Sequence, residues 1–175
     1  MDPFTHALSG ALLTRAAARR STESPSGQPE LPLRLQILTG FAAAAFPDID
    51  LVLRLIDTLT YLNWHQGPTH SIILLPLWAW LLAWLFSRLT RQHYAWRLFY
   101  RSACLGLAIH IAGDLVTSYG LMLFAPFSTA RYSVPLVFVI DPWFTLIIMS
   151  GLIASWRFER QRSPAILALA GLCGY

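Results

Sequence analysis

The sequence carries little charge and contains no lysine. Charged residues make up 13% of its 175 residues, about half the share of an ordinary soluble domain. It has only two cysteines, Cys104 and Cys173. Both lie in apolar runs, so they are predicted to pack as small hydrophobic side chains and not to form a disulfide framework. The opening residues lack the basic segment and the small-residue cleavage site of a signal peptide, and none is predicted.

Apolar and aromatic residues are abundant instead. Hydrophobic residues make up 55% of the chain, which includes seven tryptophans, ten phenylalanines and six tyrosines. Such numbers are typical of proteins whose tryptophan and tyrosine side chains lie at membrane–water interfaces. The composition predicts an integral membrane protein surrounded by membrane lipids.

The net charge of +4 comes from arginine alone. Eleven of the thirteen arginines fall in three connections, at positions 15–34, 88–101 and 157–162. They separate apolar segments and do not cluster with polar residues as in a nucleic-acid-binding patch, so a nucleic-acid partner is not predicted. Because positive residues mark cytoplasmic loops, these three connections are predicted to be cytoplasmic and the N-terminus to lie outside.

The order of the apolar runs predicts an all-α fold, a polytopic transmembrane bundle in which residues 1–175 form one membrane-embedded domain. Asp2 and Pro3 are predicted to begin the first helix, as its N-cap and its first-turn proline. The first two runs, Phe4–Ala18 and Leu33–Phe46, are shorter than the roughly 20 residues of a membrane span. They are therefore predicted to be tilted helices that reach only half the membrane depth.

The later apolar runs are predicted to supply the spans. Leu51–Leu62 has the pattern of an amphipathic, interfacial helix. Three runs that are long enough to cross a bilayer follow: Ser71–Leu89, Ser102–Phe124 and Pro135–Trp156. Ser163–Tyr175 begins a further apolar helix, which is predicted either to be truncated or to need a partner.

Histidines and aspartates from different segments are predicted to share one depth, near the outer side of the membrane. They are His6, Asp48, Asp50, His65, His70, His110, Asp114 and Asp141. His93 lies in an arginine-rich connection and is predicted to be unrelated. A charged side chain inside a membrane costs at least a few kcal/mol, so a partner that offsets this cost is expected.

The chemistry of these side chains predicts a divalent metal ion. Imidazole and carboxylate groups bind zinc and similar ions, whose charge offsets the burial of carboxylates. His110 and Asp114 are four residues apart, so both project from one face of a helix. Gly67 and Pro68 predict a tight turn, which points the histidines on either side of it inward together.

Each residue also has a simpler interpretation. His6 can be a hydrogen-bonded packing residue, Asp48 a helix cap and Asp50 a solvated carboxylate. The His and Asp four residues apart can form an ordinary hydrogen-bonded couple. Asp141 precedes a proline and can be an N-cap. These interpretations do not predict a common depth for all the acids and histidines, so together they are weaker than the metal interpretation.

Several stretches of the chain resemble a known family. MDPFTHALSGALL, FPDID, HQGPTHS and HIAGDLVTSYG occur in this order, followed by IDPW, and resemble the YdjM-type family of inner-membrane, metal-dependent hydrolases. The resemblance covers residues 1 to about 156. It implies a multi-pass protein of the bacterial inner membrane, and it says little about the substrate.

A more distant similarity is to the zinc-dependent phospholipase C and nuclease group, which is all-helical. This similarity implies metal ligation by His6, Asp48, His70, His110 and Asp114. A second HxxxE motif of that group is missing, since Glu159 has no histidine before it. One or two metal ions are therefore expected, and not three.

The expected function is that of a membrane-bound hydrolase that acts on a phosphoester or lipid-linked substrate at the periplasmic face. The metal is expected to be zinc, with manganese as the other candidate, and to activate a water. Asp50 and His65 are expected to bind the metal, to act as the general base or to hold a metal ligand in place. Asp50 is the first choice for taking the proton of the water. Arg54 or Arg131 is expected to pair with a substrate phosphate, and Asp141 to support a ligand from behind.

The alternative function is transport. An intramembrane proton relay or divalent-cation transporter uses the same residue types. A carrier should offer ligands through both leaflets, whereas the predicted cytoplasmic side supplies only arginine.

Overall fold

The computed structural model describes residues 1–18, 30–158 and 161–175, and within these ranges its regular structure is helical. The α-helices are α1 (Pro3–Ala17), α2 (Leu33–Ala45), α3 (Leu53–Ile56), α4 (Thr58–Trp64), α5 (Leu75–Leu89), α6 (Trp96–Leu115), α7 (Pro142–Arg157) and α8 (Ser163–Gly174). Two 3₁₀ segments occur, Pro47–Val52 and Pro68–His70. The prediction of an all-α fold is confirmed. The first of the three connections predicted to be cytoplasmic, at positions 15–34, lies mostly outside the described residues.

The first two helices begin and end within one residue of the predicted apolar runs, because their signals are local. The side chain of Asp2 accepts a hydrogen bond from the Thr5 amide at 3.0 Å, and Pro3 occupies the first turn. The second helix ends at Ala45, just before Pro47, which has no N–H to continue it. The chain then runs on as the 3₁₀ segment Pro47–Val52, which carries two of the acidic residues.

The centre of the fold is formed by α1, α2 and α6, which pack against one another. Glycines permit this close approach. A Cβ added at Gly10 on α1 or at Gly106 on α6 would overlap the carbonyl oxygen of Gly40 on α2. Small residues let helix backbones come this close. Around this centre, α5 packs on α6, and α7 and α8 pack together and on α1.

The three predicted spans are shorter or shifted in the structure. Helix α5 begins at Leu75, because the residues before it form the 3₁₀ turn Pro68–His70 and a further turn. Helix α6 begins earlier than predicted, at Trp96, and ends at Leu115. Helix α7 begins at Pro142, because Asp141 caps it with hydrogen bonds of 3.0 Å from the next two amides. The predicted interfacial helix over 51–62 is divided between two short helices.

The described helices contain one continuous stretch that is long and apolar enough to cross a membrane, Leu33–Leu55, with a mean hydropathy of 1.3. A second candidate is the pair Thr58–His70 and Leu75–Leu89, which is bent by 81°. A buried core helix of a soluble protein would pass the same test of length and composition. The multi-pass arrangement and the predicted orientation therefore stay predictions.

A long irregular connection, residues 116–141, closes over the turn that carries the paired histidines. The amide of Met122 donates to the Gln66 carbonyl at 2.9 Å, and the amide of Ile72 donates to the Leu123 carbonyl at 3.0 Å. The hydroxyl of Ser71 donates to the carbonyl of Ala125 at 2.5 Å. These bonds fix the turn at 65–71 against the connection that follows α6.

Candidate metal centre

Four separate parts of the chain bring histidine or aspartate side chains to one place. Helix α1 supplies His6 from its first turns, and the 3₁₀ segment after α2 supplies Asp48 and Asp50. The turn at 65–70 supplies two histidines, and the last two turns of α6 supply His110 and Asp114. The breaks that end α2 and α6 therefore place these side chains at one end of the central helix group.

Four of these residues form a compact group. Asp48, His70, His110 and Asp114 each offer one ligand atom, and the four atoms lie within 4.8 Å of one another. His70 and His110 are fully buried, and Asp114 is 1% exposed. Nε2 of His70 is 3.3 Å, and Nε2 of His110 is 3.4 Å, from the same Asp114 oxygen, Oδ2.

The atoms of this group are close together without bonding to one another. Nε2 of His70, Nε2 of His110 and Oδ2 of Asp48 are buried and have no hydrogen-bond partner. Buried polar atoms normally have one. Ligands bound tetrahedrally at about 2.1 Å from zinc would lie roughly 3.4 Å apart. The two distances from Asp114 to the histidine Nε2 atoms match this value, whereas Oδ1 of Asp48 is 3.9 Å from Nε2 of His110. The donor set and its spacing therefore fit a divalent metal ion.

Each histidine of the group is oriented through its other ring nitrogen. Nδ1 of His110 donates to the carbonyl oxygen of Ala44 at 2.6 Å, one of the last carbonyls of α2, which lack intrahelical donors. Nδ1 of His70 lies 2.9 Å from the hydroxyl of Thr69. Metal-binding histidines typically use the second nitrogen in this way, so both Nε2 atoms are set toward the group.

The other oxygen of Asp114 has separate partners. Oδ1 accepts a bond from Nε2 of His6 at 2.9 Å and from the amino group of Met1 at 2.5 Å. The ring of His6 stacks on that of His110, with centroids 3.8 Å apart. His6 therefore lies beside the four-residue group, and its Nδ1 is buried without a partner.

A second acid–histidine pair lies at the edge of the group. Nδ1 of His65 is 2.9 Å from Oδ1 of Asp50. The other oxygen of Asp50 accepts from the amide of Gln66 at 2.9 Å and from the hydroxyl of Thr69 at 3.3 Å. Asp50 is also 3.6 Å from Nδ1 of His70. The Asp50–His65 pair is therefore linked to the four-residue group at His70, both directly and through the neighbouring Thr69.

Comparison with known proteins places these residues in a family. The chain matches the family described as YdjM inner membrane protein over residues 1–175. The chain belongs to this family. The resemblance inferred from the motifs is confirmed, and the location that the family's description gives is the inner membrane.

One relative of this YdjM-family chain is an uncharacterized protein, YfhP, of Bacillus subtilis (strain 168), which is 29% identical over 177 residues. The match covers 97% of the chain and 50% of YfhP, so the chain spans about half the length of this relative. No solved structure matches the chain. These comparisons establish the family and leave the activity to be argued from the site.

The two arginines predicted to pair with a substrate phosphate lie in different surroundings in this YdjM-family chain. The guanidinium of Arg131 donates to the backbone carbonyls of Leu62, His65 and Gly120 at 3.1–3.2 Å. Arg131 thus holds the turn at His65 in place. Arg54 is exposed on α3, next to the segment with the acids.

Asp141 is the N-cap of α7, and it accepts a hydrogen bond from the hydroxyl of Tyr175 at 3.0 Å. Within the described ranges, no hydrogen bond or ion pair joins Asp141 to the four-residue group. The capping interpretation of this residue therefore has direct support from the structure, whereas the supporting role behind a ligand has none.

Sequence reasoning missed the groups that orient the ligands. The side-chain amide of Gln66 donates to Oδ2 of Asp114 at 3.0 Å, and Thr69 touches both His70 and Asp50. Gln66 has φ of 58°, a left-handed conformation that is uncommon outside glycine. Its position inside the HQGPTHS motif was the available signal. The sequence gives no signal for the role of the Ala44 carbonyl, because every residue has a backbone carbonyl.

Proposed function

We propose that this chain is a membrane-embedded, metal-dependent hydrolase that cleaves a phosphoester or lipid-linked substrate at the extracytoplasmic face. The observation that carries the proposal is the group of Asp48, His70, His110 and Asp114, whose buried ligand atoms face one another without bonding. Burying two carboxylates close together is costly, even though Asp114 has hydrogen-bond partners of its own. A divalent cation would balance the negative charge of two carboxylates. It would also bind the Nε2 atoms of His70 and His110, which have no hydrogen-bond partner.

The residues proposed to hold the ion are those four, with His6 behind Asp114 or at a second ion. Zinc fits this mixture of imidazole and carboxylate, and manganese is the other candidate. Structural zinc sites in proteins favour cysteine and closed coordination. Neither Cys104 nor Cys173 belongs to the four-residue group, which favours a catalytic ion over a structural one.

When bound, the ion supplies Lewis-acid polarisation of an ester or phosphoryl oxygen and makes a water more nucleophilic. The proton of the attacking water needs an acceptor nearby. Both oxygens of Asp50 already accept hydrogen bonds, so this carboxylate is better suited to orienting His65 than to taking the proton itself. We assign the base to His65, which binds Asp50 through Nδ1 and keeps Nε2 for the transfer.

The side of approach follows from the burial of the site. His6, His70 and His110 are fully buried, whereas Asp48, Asp50 and His65 are 7–9% exposed. The less buried edge therefore carries the proposed base. Arg54 follows Asp50 by four residues and is exposed, and we propose that it pairs with the substrate phosphate. A site at one end of the helices suits a substrate whose phosphate lies at the membrane surface.

The proposal is tested by hydrolysis of phosphomonoesters, phosphodiesters and lipid phosphates by the purified, metal-loaded protein. His65→Gln is expected to keep its metal and to lose roughly 100-fold or more in kcat, because general base catalysis contributes about 10²–10⁴-fold. Asp57→Asn is the matched control, since Asp57 is an exposed helix cap, and it should retain activity. A metal-bearing wild type that cleaves none of these substrates would contradict the hydrolase proposal.

A further inference from the structure

A cavity lies at the end of the central helices that is opposite to the metal centre. It has a volume of about 690 Å³, within the usual range for ligand sites. It is lined by the last turns of α1 and α7 and the first turns of α2. His6 and Arg15 are nine positions apart on α1, a rise of roughly 14 Å. The cavity is therefore separate from the metal centre, on the arginine-rich side that the sequence predicts to be cytoplasmic.

The polar lining of this cavity is suited to an anion. Arg15, 6% exposed, and Arg34, exposed, both line it. Nη2 of Arg15 donates to the carbonyl of Gln161 at 2.9 Å, which holds its guanidinium in this region. Helix α2 begins here after Pro32 and has no side-chain cap, so its positive end adds to the two charges.

An independent observation also indicates a ligand. Ser155 lines the same cavity and is 3% exposed. Its hydroxyl is buried and has no hydrogen-bond partner. A hydroxyl in this condition costs free energy unless something bonds to it, and rotation of the Ser155 side chain toward the cavity would let an anionic oxygen do so.

The remaining walls of the cavity are apolar. Ile37, Leu152 and the exposed Trp156 line it beside the arginines. Tryptophan beside arginine is typical of the membrane interface, where headgroup phosphates meet acyl chains. A free phosphate ion would use only the polar part of this lining, whereas a phospholipid would use both parts.

We infer that this cavity binds the phosphate of an anionic phospholipid, with Arg15, Arg34 and the Ser155 hydroxyl at the headgroup and the apolar walls along the acyl chain. The site is distinct from the proposed catalytic centre. It offers a fixed contact with one leaflet, on the side opposite to the metal.

The test is native mass spectrometry of the delipidated full chain with phosphatidylglycerol, with diacylglycerol, and with inorganic phosphate. Phosphatidylglycerol should bind to wild type, and Arg34→Gln should bind it about 10-fold more weakly, because the variant loses a charge-assisted hydrogen bond to the phosphate. Arg88→Gln is the matched control: Arg88 is exposed in the last turn of α5, lies over Trp84 and does not line this cavity. It should bind phosphatidylglycerol like wild type.

Ser155→Ala separates binding from folding. Its hydroxyl has no partner to lose, so the variant should melt at or above the wild-type temperature and still bind phosphatidylglycerol more weakly. Equal binding of diacylglycerol and phosphatidylglycerol would overturn the phosphate assignment. Displacement of the lipid by millimolar inorganic phosphate would overturn the lipid assignment. Unchanged lipid binding in both Arg34→Gln and Ser155→Ala would overturn the site.

Discussion

The wild type is expected to purify with a bound divalent metal ion, and His110→Ala and Asp114→Ala are expected to purify without it. Asp114 lies between both histidines of the four-residue group, at 3.3 and 3.4 Å from their Nε2 atoms. Loss of a supporting residue behind a ligand costs about 10–100-fold in metal affinity, so loss of a ligand itself should cost at least about 100-fold. Inductively coupled plasma mass spectrometry of the detergent-purified proteins measures this as metal per chain.

Two further variants keep the metal test decisive. Asp114 also bonds His6, Gln66 and Met1, so its removal also disturbs packing. Asp48→Asn is gentler, because Oδ2 of Asp48 has no hydrogen-bond partner to lose, and it should fold and bind metal weakly. His93→Ala removes an exposed histidine that precedes α6, at the end of that helix opposite to His110 and Asp114, and should keep full occupancy. Folded wild type without metal, even after reconstitution, would contradict the metal centre and favour a proton relay.

Gly106→Ala is expected to be among the most destabilising single-methyl additions in this protein. The new Cβ would overlap the Gly40 carbonyl and lie 2.9 Å from Cβ of Ala43 and 3.0 Å from the amide of Ala44. These neighbours are mainly backbone atoms of α2, which cannot rotate away as a flexible side chain could. Overpacking of this kind costs about 1–3 kcal/mol, which corresponds to a decrease in Tm of roughly 2–12 °C for a chain of this size.

The control is the same change at Gly171 on α8. The nearest heavy atom to a Cβ there is Cγ2 of Ile147, at 3.8 Å, an ordinary contact. Alanine is favoured over glycine in helices by about 1 kcal/mol, so Gly171→Ala should melt at or above the wild-type temperature. Because α2 also carries the Ala44 carbonyl that orients His110, Gly106→Ala should bind metal more weakly as well. Equal melting of Gly106→Ala and wild type would show that α2 and α6 are not in this close contact.

The parts of the fold that were predictable are those with local signals. The start of α1 follows from Asp2 and Pro3, and the end of α2 from Pro47, because capping and the missing proline N–H act within a few residues. It was also predictable that each long apolar run contains an α-helix. The exact spans were not, because hydropathy does not distinguish an apolar helix from an apolar irregular connection such as residues 133–140.

The end of α6 shows why the spans were misplaced. The sequence stays apolar beyond Leu115, which predicts a helix to Phe124. In the structure the chain leaves the helix at Val116, and Gly120 has φ of 81°. Long-range backbone bonds, such as Val134 N–H to the Leu115 carbonyl at 2.7 Å, replace the helical ones. No pattern within the run itself encodes those distant partners.

The site was more predictable in its residue types than in its geometry. Burying imidazole and carboxylate groups in otherwise apolar segments costs enough free energy to imply a shared partner. The turn around Gly67 brings His65 and His70 together. Which residues touch one another depends on packing between α1, α2 and α6. The division between the four-residue group and the Asp50–His65 pair therefore became visible only in the structure.

The deep burial of the ligands governs how fast an ion can leave. His70, His110 and Asp114 are at most 1% exposed, whereas Asp48, Asp50 and His65 are 7–9% exposed. An ion held by the four-residue group would therefore be open to a chelator only along the edge by which the proposed substrate approaches. A bulky chelator that does not fit this edge would have to wait for a local opening of the structure, and the rate of metal loss would then not depend on its concentration once it is in excess. Exchange would be slow, so the ion found after purification would reflect the history of the chain as much as its equilibrium preference.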